Sequence, residues 1–392
     1  MALFADPVHE EFAGLALGFA PYGGADVGEV KLLAGEVTPG DDDSFAAAFS
    51  KLAHRRIDEG DAAAASGHRA TARDCYLRAA CLLGISYRPL YGTPVDKRLA
   101  DAFRQQMEVF DKAMALPDSQ AEKLDVPYEG TRITAYLLRA SGYEYVRRPA
   151  LIIGGGWDST LVENYFGIGA AAQQRGYHVI LHDGPGQGRL LIDEGLPLCH
   201  DWEKVLTPVV DATLRIDVVD PDRIAYYAWS LGGYMAPRAA SFEHRLAAVI
   251  ADPGQLDVAG KFDGLLAKLG LDGGDEEKVM AAISGDRTLD WKIVKRGFWT
   301  NNAPDLASWL AEMAKWKLDR EQVAQIRCPA LITAAESDLA SSDAKELFDA
   351  LTGSKTFLRF EDADGAGDHC EALNRSMANR KILDWLDDTL AK

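Results

Sequence analysis

Cysteine is scarce and unpatterned in this chain. The five residues (Cys75, Cys81, Cys199, Cys328 and Cys370) are odd in number, scattered and without metal-ligand spacing. That excludes a disulfide framework and a cysteine-based metal site, and it fits a reducing cytoplasm. Positive charge is also short: 42 Lys and Arg face 60 Asp and Glu, for a net charge of -18. A nucleic-acid partner or an anionic membrane surface would need a basic face, so neither is expected. The acidic balance reads instead as a solvated exterior. Nowhere do about eighteen apolar residues run together, so no membrane span is expected. The opening MALFADPVHEEF has neither the basic region nor the apolar run of a signal peptide. Internal repeats and low-complexity linkers are missing as well.

What is present is the composition of an ordinary globular protein, 47% hydrophobic and 26% charged. At 392 residues, one large core with an accessory module is the natural expectation. Residues 1–125 read as helical, with Ala70, Cys75, Leu77 and Leu82 recurring at near-helical intervals. Breaks are expected at Gly84, at Pro89-Leu90-Tyr91-Gly92 and at Pro117-Asp118-Ser119, with Asp96 capping the helix that follows it. From about Leu124 the texture changes to short β-rich runs at 133–138, 150–155, 178–183, 223–230, 247–252, 330–335 and 355–360. Several are apolar throughout, as central parallel strands buried on both faces should be. The intervals suit crossover helices, so the class is α/β with a mainly parallel sheet flanked by helices. Residues 256–325 are helical, carry Trp291, Trp299, Trp309 and Trp316, and exceed an ordinary crossover. They read as a helical insertion or lid, the alternative being enlarged crossover helices.

The run RIAYYA leads into Trp229-Ser230-Leu231-Gly232-Gly233 and then a helical YMAPRAASF. A strand, a sharp turn with Ser at its apex and a helix together form a nucleophile elbow. The G-x-S-x-G pattern appears as Ala228-Trp229-Ser230-Leu231-Gly232, with one extra methyl at the first position. A Ser-Gly turn capping a helix is the plain structural alternative. A serine hydroxyl needs a neighbouring base, and the expected order is Ser, Asp, His. After the run at 330–335 come Glu336 and Asp338, and the Gly-rich loop after 355–360 delivers His369. The catalytic candidates are therefore Ser230, His369 and Asp338, with Asp252 and Glu336 open as alternatives for the acid. Cys370, beside His369, is a weaker nucleophile candidate than Ser230.

An oxyanion needs N–H donors. Leu231, directly after the serine, offers one; Gly156 or Trp157 in Gly154-Gly155-Gly156-Trp157-Asp158-Ser159-Thr160 offers the second. That loop lacks the Lys of a P-loop and a G-x-G-x-x-G pattern, so phosphate binding is not expected. The segment His182-Asp183-Gly184-Pro185-Gly186-Gln187-Gly188 reads as a structural turn. Trp229, His182, Asp158 and Asp252 are candidates to line the pocket. The chemistry needs no metal and no organic cofactor, and no His/Cys/Asp cluster suggests one.

GGWDSTLVENYF (155–166), HDGPGQG (182–188), WSLGGY (229–234) and DGAGDHCEALN (364–374) together resemble the 2,6-dihydroxypseudooxynicotine hydrolase-like group of α/β-hydrolases. That group includes fungal hydrolases that shorten polyketides. The resemblance extends more weakly to GHRATARDCYLRAACLL (67–83), which is similar to the group's N-terminal cap. It implies the α/β-hydrolase fold with an N-terminal helical cap at 1–125, a core at 126–255 and 326–392, and the triad Ser230, Asp338 and His369. It also implies a small-molecule substrate and a homodimer. Some members cleave a carbon–carbon bond beside a ketone and others are esterases. The extra carboxylate that certain C–C hydrolases use has no clear match in PGQLDVAGKFDG, where Asp257 and Asp263 are available. A general carboxylesterase or peptidase, a lyase or cyclase, and a non-catalytic binding protein are the competing functions. The first 125 residues are too few and too helical for the β-propeller of an oligopeptidase.

Overall fold

The computed structural model describes residues 2–268 and 275–391. Helices α1 (Pro7–Gly18), α2 (Val27–Glu36), α3 (Asp42–Ala65), α4 (Arg69–Ser86) and α5 (Lys97–Ala115) come first. The strands are β1 (Ala121–Tyr128), β2 (Thr131–Leu138), β3 (Arg148–Gly154), β4 (His178–His182), β5 (Val219–Trp229), β6 (Ala248–Asp252), β7 (Ala330–Ala335) and β8 (Lys355–Phe360). After β3 run α6 (Leu161–Asn164) and α7 (Ala170–Gln174); after β4, α8 (Gly188–Ile192) and α9 (Glu203–Thr213); after β5, α10 (Gly232–Ala240). The long β6–β7 connection holds α11 (Val258–Lys268), α12 (Glu276–Gly285), α13 (Arg287–Leu289), a wide helical turn over Asp290–Phe298, α14 (Leu306–Met313) and α15 (Arg320–Val323). Helix α16 (Ala344–Ala350) follows β7 and α17 (Arg375–Leu390) follows β8.

The strands form one sheet in the order β1-β2-β4-β3-β5-β6-β7-β8. Only the β1–β2 and β2–β4 pairings are antiparallel. Strand alternation divides the core between two faces. Leu151 and Ile153 of β3 join the apolar cluster of α1, α3, α4 and α5, while Ala150 and Ile152 join that of α9, α10 and α14. Both faces are covered, which is why β3, β4 and β6 are apolar through their middles, at 149–154, 179–181 and 248–251. Among the described residues, no helix is long and apolar enough to cross a membrane.

Local chemistry explains the helix starts. Asp6 accepts the N–H groups of Val8 and His9 ahead of Pro7, and Asp41 accepts those of Asp43 and Ser44. Asp96 caps α5 through the N–H of Arg98, as expected. Two expectations differ from the structure. Gly84 does not break α4; a Cβ there would lie 2.3 Å from the Gln106 amide, so the glycine serves close packing of α4 on α5. The helical region also ends earlier than expected, because β1 begins at Ala121.

Candidate active site

The strand β5 ends at Trp229, and Ser230 takes φ +59 before α10 begins. A non-glycine residue in the left-handed region is a strained position of the kind found where a side chain must be presented. Gly232 lets the turn close, since a Cβ on it would meet the Ala228 methyl at 2.7 Å and the Gly155 carbonyl at 2.8 Å. The methyl that departs from the usual first glycine is thus accommodated by the missing one at Gly232. Gly233 packs onto the Pro253 carbonyl, which would lie 1.6 Å from an added Cβ. The Ser230 N–H donates to the Asp252 carbonyl at 2.7 Å, and the Gln255 Nε2 donates to the Ser230 carbonyl at 2.5 Å.

His369 Nε2 lies 3.0 Å from Ser230 Oγ, and His369 Nδ1 lies 2.9 Å from Asp338 Oδ2. Asp338 Oδ1 accepts the Ala340 N–H at 2.9 Å. Burial works against charge on both partners, yet their mutual attraction and hydrogen bond win. Asp338 is held below the usual carboxylate range and His369 above the usual imidazole value. The His369 side chain is 50% exposed and that of Asp338 only 5%, so the imidazole has an open side while the carboxylate is covered.

The alternatives for the acid lie elsewhere. Asp252 is fully buried and accepts hydrogen bonds from Tyr227, Thr333 and Arg375. Glu336 is exposed and accepts the Asp362 N–H. Cys370 is 2% exposed, and burial pushes its thiol well above the ordinary value. Its Sγ accepts the Ser230 N–H at 3.2 Å.

The donor loop lies directly on the elbow: a Cβ on Gly156 would be 2.6 Å from Ser230 Cβ and 2.8 Å from the Leu231 nitrogen. One of its candidate donors is corrected. The Gly156 N–H is already donated to Ser159 Oγ at 2.7 Å. Among the described residues, the N–H groups of Trp157 and Leu231 have no acceptor. The α10 N-terminus adds its dipole at Leu231.

Two pocket candidates are also corrected. His182 is fully buried, stacked 5.9 Å from Tyr226, and burial lowers its pKa to about 4. Trp229 is 5% exposed and donates its Nε1 to Asn164, with Arg375 over its ring. Both belong to the core beneath the site. Asp158 instead receives Arg88 at 2.6 Å and Arg296 at 3.3 Å, while Trp157 donates its Nε1 to Thr300 at 2.6 Å. A cavity of about 20 Å³, room for about one water, lies among Tyr87, Tyr91, Trp157, Ser159, Gln187 and Trp299. Among the described residues, no cluster of three or more His, Cys, Asp or Glu side chains is placed to hold a metal ion.

Residues 150–378 match the model of the Alpha/beta hydrolase family. The chain belongs to that family. This α/β-hydrolase is 31% identical over 399 residues to Hydrolase LUC6 of Fusarium sp, spanning 95% of this chain and 94% of the relative. It is also 31% identical over 399 residues to 20-hydroxy-prefusarin hydrolase FUS2 of Gibberella moniliformis (strain M3125 / FGSC 7600), spanning 96% and 94%. The solved structure of 2,6-dihydroxy-pseudo-oxynicotine hydrolase superposes with a TM-score of 0.76 over 95% of both chains at 22% identity, a likeness of fold. The resemblance drawn from the four motifs is therefore borne out, and the chain is a hydrolase.

Sequence reasoning passed over several parts of this hydrolase that touch the site. Helix α1 seats on the His369 loop so closely that a Cβ on Gly18 would lie 1.8 Å from the Ala372 carbonyl. Arg375, 1% exposed, bonds the Cys370 carbonyl at 2.6 Å and the Tyr227 hydroxyl at 3.0 Å, fixing that loop from below. A small residue in an otherwise unremarked helix gives no signal in one sequence, and neither does a buried arginine.

Proposed function

We propose that this hydrolase cleaves a small, ketone-containing or polyketide-like substrate at an acyl bond, using Ser230 as nucleophile, His369 as base and Asp338 as its orienting carboxylate. The hydrogen-bonded chain from Ser230 through His369 to Asp338 carries the reading. Ser230 Oγ adds to the substrate carbonyl as its proton passes to His369 Nε2, and the oxygen becomes an oxyanion held by the N–H groups of Leu231 and Trp157. Collapse breaks the acyl bond, and the leaving group, an alkoxide or the enolate of a ketone, takes the proton from His369. Water, deprotonated by His369, then releases the acid and restores Ser230.

The substrate class draws on the relative named for hydrolysis of 20-hydroxy-prefusarin. The bond cleaved is an ester or a C–C bond beside a ketone; of the two carboxylates available for the second reaction, Asp257 is committed to Lys317 at 2.5 Å and to the Gly260 N–H, and the Asp263 side chain lies outside the described residues. In this reading residues 1–125 act as the cap, 126–255 and 326–392 as the core and 256–325 as the lid, in a cytoplasmic homodimer. Size-exclusion chromatography with light scattering checks the dimer; a monomeric mass would refute it.

Fluorophosphonate labelling tests the nucleophile: the wild type is expected to label and Ser230→Ala not. Equal labelling of the two sinks the assignment. Turnover of p-nitrophenyl esters against β-diketones then separates ester from C–C cleavage, and turnover of neither favours lyase or binding functions.

A further inference from the structure

The turn at 182–188 reads from sequence as a structural element, and the mechanism above leaves it idle. Its geometry gives it work at the oxyanion. Gln187 is 2% exposed, and it sits between Gly186 at φ +76 and Gly188 at φ +46, both in the left-handed region. A Cβ on Gly186 would strike Leu198 at 2.2 Å, and one on Gly188 would strike Asp183 at 2.3 Å. The turn is therefore packed in one conformation, and the Gln187 amide leaves it in a set direction. Its Oε1 accepts the Gly184 N–H at 2.9 Å, which fixes the amide's orientation. Its Nε2 donates to the carbonyl of Gly156 at 2.5 Å.

That carbonyl belongs to the same peptide unit as the Trp157 N–H. The Gly156–Trp157 bond is trans, so its C=O and N–H point in opposite directions within one plane. Gly156 has no side chain to resist rotation of that plane, and its own N–H is held by Ser159 Oγ on the other side of the Cα. Anchoring the carbonyl therefore aims the Trp157 N–H away from Gln187. Gly156 lies directly against Ser230 and Leu231, where the second donor is needed.

We infer that Gln187 is a positioning residue that holds the Gly156–Trp157 peptide so that the Trp157 N–H meets the oxyanion formed on addition of Ser230. The inference rests on the reading of Ser230 as nucleophile. Gln187 acts through the peptide and not on the substrate. Loss of its hydrogen bond leaves ground-state binding intact and weakens the oxyanion contact, for which removal of a whole donor costs about 10²- to 10³-fold in kcat.

Two variants test this with p-nitrophenyl butyrate across pH 5–9. Gln187→Met has no donor at any pH; its kcat is expected to fall about 10- to 100-fold with KM unchanged. Its affinity for a trifluoromethyl ketone, whose adduct carries the oxyanion, should fall by the same factor. Gln187→Glu keeps the acceptor for Gly184 and can donate to the Gly156 carbonyl only when protonated. Its kcat, taken relative to wild type at each pH, should therefore recover as pH falls, which general damage to the fold would not produce. A wild-type kcat in Gln187→Met, a loss confined to KM, or a Gln187→Glu ratio flat with pH overturns the role of Gln187 while Ser230 still labels with fluorophosphonate. Absence of that labelling in the wild type overturns the reading of Ser230 and this inference together.

Discussion

On the His369 imidazole, burial favours the neutral ring while the Asp338 carboxylate favours the charged one, and the carboxylate prevails. The proposed mechanism needs His369 neutral, so activity should be lost as pH falls through a midpoint above the ordinary imidazole value of about 6.5. Asp338→Asn removes the opposing charge. The midpoint in its pH–rate profile should then move down, and kcat should fall about 10³- to 10⁴-fold. An unmoved midpoint would place the partner of His369 elsewhere. Gly156 offers a second check on the same few ångströms. Gly156→Ala puts a methyl within 2.6 Å of Ser230 Cβ and 2.8 Å of the Leu231 nitrogen, so esterase kcat should fall about 100-fold or more. A fully active alanine variant would show that the loop stands farther from the elbow.

Among the elements, α1 and the loop from His369 to Asn374 meet backbone to backbone at Gly18. Gly18→Ala must push the loop or the helix away, which should destabilise the protein by about 1–3 kcal/mol. It should also lower esterase kcat, because His369 moves with the loop. Melting together with kinetics checks this, and a variant unchanged in both would refute the contact. The central strands were readable in the sequence because burial on both faces leaves their middles apolar, as at 248–251. Strand β1 was not. Its AEKLDVPY lies at the sheet edge, partly or fully exposed as far as Asp125, and only Val126 and Tyr128 are buried, so it shows no sustained period. The turn that closes its hairpin puts Glu129 at φ +39 and Gly130 at φ +85, a two-residue signal that helical expectations overran. The elbow and the order of Ser230, Asp338 and His369 could be read from motif spacing. That Trp229 and His182 point into the core could not, because sequence adjacency to a motif does not say which face of a strand a side chain takes.

For the whole molecule, Asp158 is a junction of three regions: Arg88 arrives from the N-terminal helices, Arg296 from the β6–β7 connection, and Asp158 itself from the donor loop. Arg88 also pairs with Glu163 at 2.7 Å, both groups 5% exposed. Asp158→Ala leaves two arginines short of a partner in a covered site and should cost about 3 kcal/mol. Chemical denaturation checks the loss; a change under 1 kcal/mol would mean that solvent already screens the junction. Farther out, Arg287 bonds Asp6 and Asp42, Lys295 bonds Asp42, and Trp291 Nε1 donates to the Arg88 carbonyl. These contacts pin the β6–β7 connection to the starts of α1 and α3 and to the segment after α4. Arg287→Ala with Lys295→Ala should raise kcat/KM for bulky esters relative to acetate esters if that connection limits access, and an unchanged ratio would refute it. The seating of α1 on the His369 loop bears finally on how the chain is made. Helix α1 leaves the ribosome early and its seat near Ala372 late, so at about 5–20 residues per second the two are apart for roughly 20–70 s. Through that interval Phe12 can pack on Phe45 of α3, but the end of α1 at Gly18 lacks its seat against Ala372. A nascent chain stalled before the His369 loop should therefore hold the end of α1 open to protease, and completion of the chain should close it.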